Sequence, residues 1–134
     1  MARVLEAASN EHQRLVKTLI EKFLKDGFKI RKASYPGFDE PEKAGRHEPD
    51  IRAYDDKEGI NIIGEAKTCD DLTSNKSKEQ FEDFSSRQMT AGKSEGKVVP
   101  FHVIVPETCE QQLAAVLQEL GVLNKPNVFR WSMA

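Results

Sequence analysis

Residues 49–67 read PDIRAYDDKEGINIIGEAK and predict a β-hairpin, which is the feature that most constrains the fold. Ile and aromatic residues favour strands, and a polar run that ends in glycine favours a hairpin turn. We therefore expect strands over residues 50–55 and 60–67, joined by residues 56–59. Pairing Asp55 with Ile60 fixes every other pair in the hairpin and places Asp50 directly opposite Glu65.

The two opposed acids predict a cation site. Directly opposed residues on one sheet face have Cβ atoms about 5 Å apart, and like charges at that distance destabilise a sheet. A divalent cation between Asp50 and Glu65 removes this conflict. Two carboxylates, the main-chain oxygen of Ala66 and waters suit Mg²⁺, with Mn²⁺ as its substitute.

Lys67 gives the predicted cation site a possible chemistry. Side chains alternate along a strand, so Lys67 shares a face with Glu65 and would lie beside a metal-bound water. A lysine there can orient or help to deprotonate the water, or offset negative charge on a phosphate. The candidate reaction is hydrolysis of a phosphodiester.

Chain length and net charge limit the number of domains and the kind of nucleic-acid binding that we expect. A chain of 134 residues is long enough for one domain, over residues 1–134, with its own core and no linker. The formal net charge of −2 carries no strong basic signature of a non-specific nucleic-acid binder. Because a carboxylate site is itself acidic, the charge has to be judged locally.

Cysteine content and hydropathy predict a cytoplasmic protein that does not enter a membrane. The only cysteines are Cys69 and Cys109, and the favoured interpretation is two free thiols in a reducing compartment. We find neither an apolar leader nor an apolar run long enough to span a bilayer.

The first predicted helix begins at a cap on Ser9 or Asn10 and runs to about Asp26, with Gly27 as its stop. Its apolar residues recur at helical spacing and form a buried stripe: Leu15, Val16, Leu19, Ile20, Phe23 and Leu24.

Glu11, in the first turn of this helix, has two interpretations. It precedes Leu15 by four residues and Leu19 by eight, so it lies near the N-terminal end of the stripe and would face inward. An acid in the first turn is equally explained by its favourable interaction with the helix dipole.

The remaining pattern completes an α/β (α+β) fold. We expect a strand over residues 28–33, a surface loop over 34–48, a helix over 76–91, a strand over 98–105, a helix over 108–120 and a short strand over 128–131. The order αβββαβ, followed by a C-terminal helix and strand, implies a mixed central sheet flanked by helices.

Several polar residues lie in sequence near the hairpin. For Arg31, Lys32 and Arg46, the alternatives are a solvated surface and contact with phosphate groups. His47 is either an ordinary loop histidine or a phosphate contact. Gln80 lies near the start of the second helix, from where it can point back at the end of the strand that carries Glu65.

The residues of the hairpin and of the first helix resemble a known family. Pro49-Asp50, Glu65-Ala66-Lys67, the order αβββαβ and an early acid on the first helix resemble the PD-(D/E)XK nuclease superfamily, which has a restriction endonuclease-like fold. The resemblance covers roughly residues 10–105. Within the superfamily, the segment EHQRLVKTLIEKFLKDGFKIRKAS is most similar to the opening of archaeal-type Holliday junction resolvases.

The resemblance implies roles for individual residues. Glu11, Asp50 and Glu65 would be metal ligands, and Lys67 would position the attacking water. Arg31 and Ser34 would lie near the phosphate backbone, and Gln80 is similar to a glutamine that some members carry on the helix after the ExK strand.

The implied function is a Mg²⁺-dependent DNA endonuclease, with a four-way junction as one possible substrate. A homodimer would supply the two sites that two cuts require, through the last helix and the terminal strand. The loop over residues 36–48 is longer and more acidic than the resolvase pattern, and this bears on the junction substrate more than on the hydrolytic site.

Two alternatives stay open from the sequence alone. The first is a nuclease-like fold that binds nucleic acid or takes part in an assembly without catalysis. The second is an unrelated small α/β domain in which Asp50 and Glu65 are exposed acids on opposite faces of the hairpin.

Overall fold

The first helix, α1 (Glu11–Lys25), packs along one face of a central sheet. A computed structural model describes residues 5, 10–41 and 47–134 of the chain. The side chain of Asn10 caps α1 by accepting a hydrogen bond from the main-chain N–H of Gln13, which satisfies one of the unpaired donors of the first turn. The predicted cap and end of this helix are confirmed, and so is the buried stripe except for Leu24, which is 40% exposed.

Five strands form one mixed sheet, in the order β1-β2-β3-β4-β5. The strands β1 and β2 and the strands β2 and β3 are antiparallel, whereas β3, β4 and β5 are parallel. Their bounds are β1 Lys29–Ala33, β2 Ile51–Asp55, β3 Ile60–Ala66, β4 Phe101–Pro106 and β5 Val128–Met133. With helices α2 (Asn75–Ser85) and α3 (Glu110–Glu119), the chain has an α+β fold whose element order is the predicted one.

Each face of the sheet carries its own apolar cluster. On one face, α1 packs against β2, β3 and β4. On the other face, Phe81 and Phe84 of α2 and Leu113 of α3 pack with Phe101 and Ile63. Gly64 lets α1 approach β3 closely, because a Cβ atom there would lie 3.0 Å from Leu19 Cδ2 and 3.1 Å from Phe23 Cε2.

The predicted hairpin register is confirmed. Asp55 pairs with Ile60, and the pairing continues to Ile51 opposite Gly64. The main-chain N–H of Gly59 donates to the Asp55 carbonyl at 2.7 Å, and Gly59 has a φ of +65°, which explains a glycine at the end of the turn. The ladder ends there, and Asp50 and Glu65 are the next residues along the two chain segments.

The predicted end of the second helix is wrong by six residues. The helix stops at Ser85 rather than at residue 91. The chain that follows pairs with itself instead: the N–H of Met89 donates to the Lys97 carbonyl, and the N–H of Val99 donates to the Arg87 carbonyl. These extended hydrogen bonds replace those of further helical turns.

The prediction of two free thiols is also wrong. Cys69 and Cys109 form a disulfide, with their Cα atoms 5.8 Å apart. Because β3 and β4 are parallel neighbours, the segments that leave their carboxyl ends emerge at the same edge of the sheet, where Cys69 and Cys109 meet. The pairing removes the free-thiol argument for a reducing compartment. Within the described ranges, no helix is both long and apolar enough to cross a bilayer.

We predict that reduction destabilises the oxidised protein by about 2–4 kcal/mol, since the disulfide closes a loop between cysteines 40 residues apart. Urea unfolding with and without reductant measures this difference. The variant with both cysteines changed to alanine is the control and should unfold at the same urea concentration in both conditions. Equal midpoints for the wild-type protein would contradict the disulfide.

Candidate active site

Asp50 and Glu65 meet where β2 begins and β3 ends. The main-chain N–H of Asp50 donates to Glu65 Oε1 at 3.0 Å, and the N–H of Ala66 donates to Asp50 Oδ2 at 2.8 Å. The Glu65 residue is only 3% exposed, and the Asp50 side chain is 15% exposed. As predicted, the hairpin register brings the two acids together, and the structure shows that their position is largely buried.

The two carboxyl groups titrate differently. Burial, the charge of Asp50 and a hydrogen bond with Asp50 raise the pKa of Glu65 well above 4.5. Burial alone would raise the pKa of Asp50 too, but hydrogen bonds with His12 and Glu65, the charge of His12 and the Ala66 amide lower it below 3.8. Without a cation, the surroundings therefore favour the protonated form of Glu65 and the ionised form of Asp50.

His12, rather than Glu11, is the residue of α1 that reaches this pair. Its Nε2 lies 3.2 Å from Asp50 Oδ2. The hydrogen bond to Asp50 raises the pKa of His12 above 6.5, against an opposing effect of burial, and the charge of Asp50 adds to the increase. Glu11 is exposed to solvent in the first turn of α1, so the inward-facing interpretation of its side chain is wrong and the position agrees with the helix-dipole interpretation.

The helix stripe explains this correction. The fully buried positions of α1 are Leu15, Val16, Leu19, Ile20 and Phe23. At about 100° per residue, the middle of this set lies within about 15° of His12 and about 110° from Glu11. Using the whole stripe, rather than the spacing to Leu15 and Leu19 alone, would have identified His12 from the sequence.

Lys67 is held beside the acid pair by three side chains. Lys67 is 4% exposed, and its Nζ lies 3.3 Å from Glu65 Oε2 and 3.3 Å from Asp71 Oδ2. Its Nζ also donates to Oε1 of Gln80, on the first turns of α2. The prediction that Gln80 points back at the end of the strand that carries Glu65 is confirmed.

A cleft of about 360 Å³ opens onto these groups. It is lined by His12, Ser34, Glu48, Asp50, Glu65, Ala66, Lys67, Asp71, Lys76 and Gln80. Sequence reasoning missed four of these residues as site components: His12, Glu48, Asp71 and Lys76. For Asp71, the available sequence signal was its position four residues after Lys67, a spacing that brings side chains together on a helix. The segment between them forms a short 3₁₀ turn and not a helix.

The remaining predicted residues lie elsewhere. Arg31 and Lys32 line a separate cleft with Arg52 on β2. The His47 ring packs against Phe84, and its Nδ1 lies 3.3 Å from Asp83 Oδ2, so it faces α2 and does not line the candidate active site. Arg46 lies outside the described residues.

The site fits a cation that needs few protein ligands. In the described part of the chain, no group of three or more His, Cys, Asp or Glu side chains is arranged as a metal site, and the expected set with Glu11 is not assembled. Mg²⁺ takes one or two carboxylates and fills its remaining positions with water and substrate oxygens. Asp50 and Glu65 could supply the carboxylates, and a cation could replace the proton between them.

Ala66 contributes its main chain to the same place. Its N–H donates to Asp50, and in a strand the N–H and carbonyl of one residue face the same neighbouring strand. The carbonyl oxygen therefore also faces the side from which Asp50 enters, where it could be a further cation ligand.

Comparisons of the chain with protein-family models, with curated proteins and with solved structures found no match in any of the three. Any assignment of chemistry therefore depends on the geometry of the cleft itself.

We predict that Glu65→Gln stabilises the metal-free protein at pH 8. When folding raises the pKa of a carboxyl, that group stabilises the folded state. Its stabilisation is fully present below pH 4.5, the ordinary pKa, and is lost as pH rises through the raised pKa. In the window where Glu65 is protonated only in the folded state, the wild type should lose up to about 1.4 kcal/mol per pH unit from this one group. The glutamine variant should lack this component.

Urea unfolding in EDTA between pH 4 and pH 8, at roughly one-unit steps, measures the difference. Glu95→Gln, at an exposed loop position, is the matched control and should follow the wild type at every pH. A Glu65→Gln variant whose stability stays parallel to that of the wild type would show that Glu65 does not carry the proton.

Proposed function

We propose that the protein is a Mg²⁺-dependent endonuclease that hydrolyses phosphodiester bonds of DNA, on a fold that resembles the PD-(D/E)XK nucleases. The observation that carries this proposal is the buried pair of Asp50 and Glu65 with Lys67 in contact, at the mouth of a polar cleft. Buried acids that repel one another and lie beside a lysine are costly for stability alone, and they are suited to binding a cation and a phosphate.

Asp50, Glu65 and the Ala66 carbonyl would hold the cation, and Mn²⁺ is the expected substitute. When bound, the ion supplies Lewis-acid polarisation of a phosphate oxygen and a lower pKa for a coordinated water. Binding requires Glu65 to lose its proton, so affinity for the cation should increase with pH.

Lys67 would act on the attacking water and on the phosphate. Its Nζ is already directed at Glu65, and it is held from two further sides by Asp71 and Gln80. A lysine fixed in this way can orient the water for attack and offset the negative charge that develops on the phosphate.

His12 and Gln80 would be positioning residues. His12 contacts Asp50 Oδ2 and thereby fixes the orientation of that carboxylate, in the way that neighbouring hydrogen bonds orient metal ligands. Gln80 accepts a hydrogen bond from Lys67 and fixes the direction of its ammonium group.

The resemblance to Holliday junction resolvases makes a four-way junction one candidate substrate and a homodimer one candidate assembly. Two cuts on one DNA molecule need two sites, which a two-fold dimer provides. The strand β5 lies at an edge of the sheet and Phe129 on it is exposed, so this strand and α3 remain the candidate surfaces.

We predict that the wild-type protein cleaves labelled DNA when Mg²⁺ or Mn²⁺ is present, and that Asp50→Asn and Lys67→Ala each lower the rate by about 10²–10⁴-fold. The reason is that each variant removes a group that acts on the cation, the water or the phosphate. Duplex, single-stranded, flap and four-way DNA are assayed by gel electrophoresis.

Lys78→Ala is the matched control for Lys67→Ala, because Lys78 pairs with Glu119 and does not line the cleft. It should cleave at the wild-type rate. Intact DNA in every wild-type reaction, or a Lys67→Ala variant as active as the wild type, would contradict the proposed hydrolysis. Binding of DNA without cleavage would instead indicate a non-catalytic binding protein.

A further inference from the structure

The strand β1 contains a bulge that changes which face its side chains occupy. Ile30 pairs with Ala53, but the next pair is Lys32 with Arg52, so Arg31 is an additional residue. In a bulge, two residues of one strand oppose a single residue of its partner. Arg31 and Lys32 therefore both lie opposite Arg52.

The packing of β1 supports this placement. Ile30 and Ala33 both pack in the apolar cluster beneath α1, although they are three residues apart and strict alternation would put them on opposite faces. The additional residue in the bulge allows Ile30 and Ala33 to lie on the same face. As a result, the two cations between them both lie on the face of the sheet opposite α1.

This face is also the face of the acid pair. Directly opposed residues share a face, and the pairs on this face are Tyr54 with Asn61 and Arg52 with Ile63. Glu65 lies two residues after Ile63 on β3 and therefore shares the face, with Asp50 in hydrogen-bond contact. Arg52 comes two residues after Asp50, which directly precedes the first residue of β2, so Arg52 lies close to the acid pair along the chain.

A cleft of about 260 Å³ lies over this part of the sheet. Its lining includes Arg31, Lys32, Arg52 and Asn61, which we call the bulge trough. The Arg31 guanidinium lies 4.0 Å from the centre of the Tyr54 ring, and this contact directs it along the sheet surface. Three positive charges and an amide thus converge, in a chain whose formal net charge is −2.

We infer that the bulge trough binds the phosphate backbone of one DNA strand, next to the phosphate that is cut at Asp50 and Glu65. This inference rests on the proposed function. The trough complements a phosphodiester because guanidinium groups form paired hydrogen bonds with phosphate oxygens, and Lys32 adds a point charge. Arg52 and Asn61 thereby become binding residues that the sequence did not indicate.

The position of the trough also explains how DNA could be attracted to a site that contains two acids. The acid pair disfavours a phosphate until a cation binds, so the active site alone attracts DNA poorly. A cationic trough on the same face attracts the backbone independently and delivers the neighbouring phosphate to the cation site.

The test measures DNA binding in EDTA, where no cleavage occurs and the acid pair cannot hold a cation. Fluorescence anisotropy of a labelled single-stranded oligonucleotide and of its duplex is recorded from 0.05 to 0.3 M salt, roughly the range in which counterion release is measurable. Arg31→Gln and Arg52→Gln should each weaken binding roughly tenfold at 0.1 M salt and reduce the salt slope by about 0.9 for duplex DNA.

Two further variants separate a local effect from a general one. Arg130→Gln removes the same charge from exposed β5, at the opposite edge of the sheet, and should bind like the wild type. Arg52→Lys keeps the charge and should retain the salt slope, which a misfolded protein would not do.

The inference is overturned if the wild-type protein binds neither DNA in EDTA, if the two glutamine variants bind like the wild type, or if Arg130→Gln loses as much affinity as they do. These results are independent of cleavage. If the wild-type protein never cleaves DNA, but the Arg31→Gln and Arg52→Gln variants bind DNA more weakly, the proposed hydrolysis is disproved. The inference that the bulge trough binds DNA then still holds.

Discussion

The contact between Asp50 and Glu65 is the interaction on which the rest of the site depends. The hairpin register forces the two carboxyl groups together, and burial denies them the water that would screen their repulsion. The raised pKa of Glu65 favours its protonated form, which relieves the conflict. In the proposed function, a cation takes the place of that proton.

The scaffold places one group on each side of this pair. Close packing of α1 at Gly64 brings His12 onto Asp50, and the start of α2 brings Gln80 onto Lys67. The turn after β3 adds Asp71, and the disulfide at Cys69 ties that turn to the start of α3. The groups around the acids thus come from elements that the sheet fixes in place, which is the arrangement that precise catalytic geometry needs.

The hairpin could be predicted from sequence because its pairing depends on a short turn, and a two-residue periodicity then determines the rest. Asp50, Glu65 and Lys67 followed from that register. Of the two interpretations of Glu11, the inward-facing one is wrong, because it depends on two positions of the stripe and the whole stripe points to His12 instead. The side of the sheet on which Lys32 lies could not be predicted, since a bulge changes side-chain facing without a clear sequence signal.

Tertiary proximity explains the other differences. The disulfide depends on β3 and β4 being parallel neighbours, and the early end of α2 depends on hydrogen bonds between residues 87–89 and 97–99; neither is visible in local patterns.

The most direct measurement of the central claim, that Asp50 and Glu65 bind a cation, is anomalous diffraction from crystals grown with Mn²⁺. We expect a peak within about 2–2.5 Å of carboxylate oxygens of both Asp50 and Glu65. A well-ordered site with both side chains visible and no peak between them would contradict the claim.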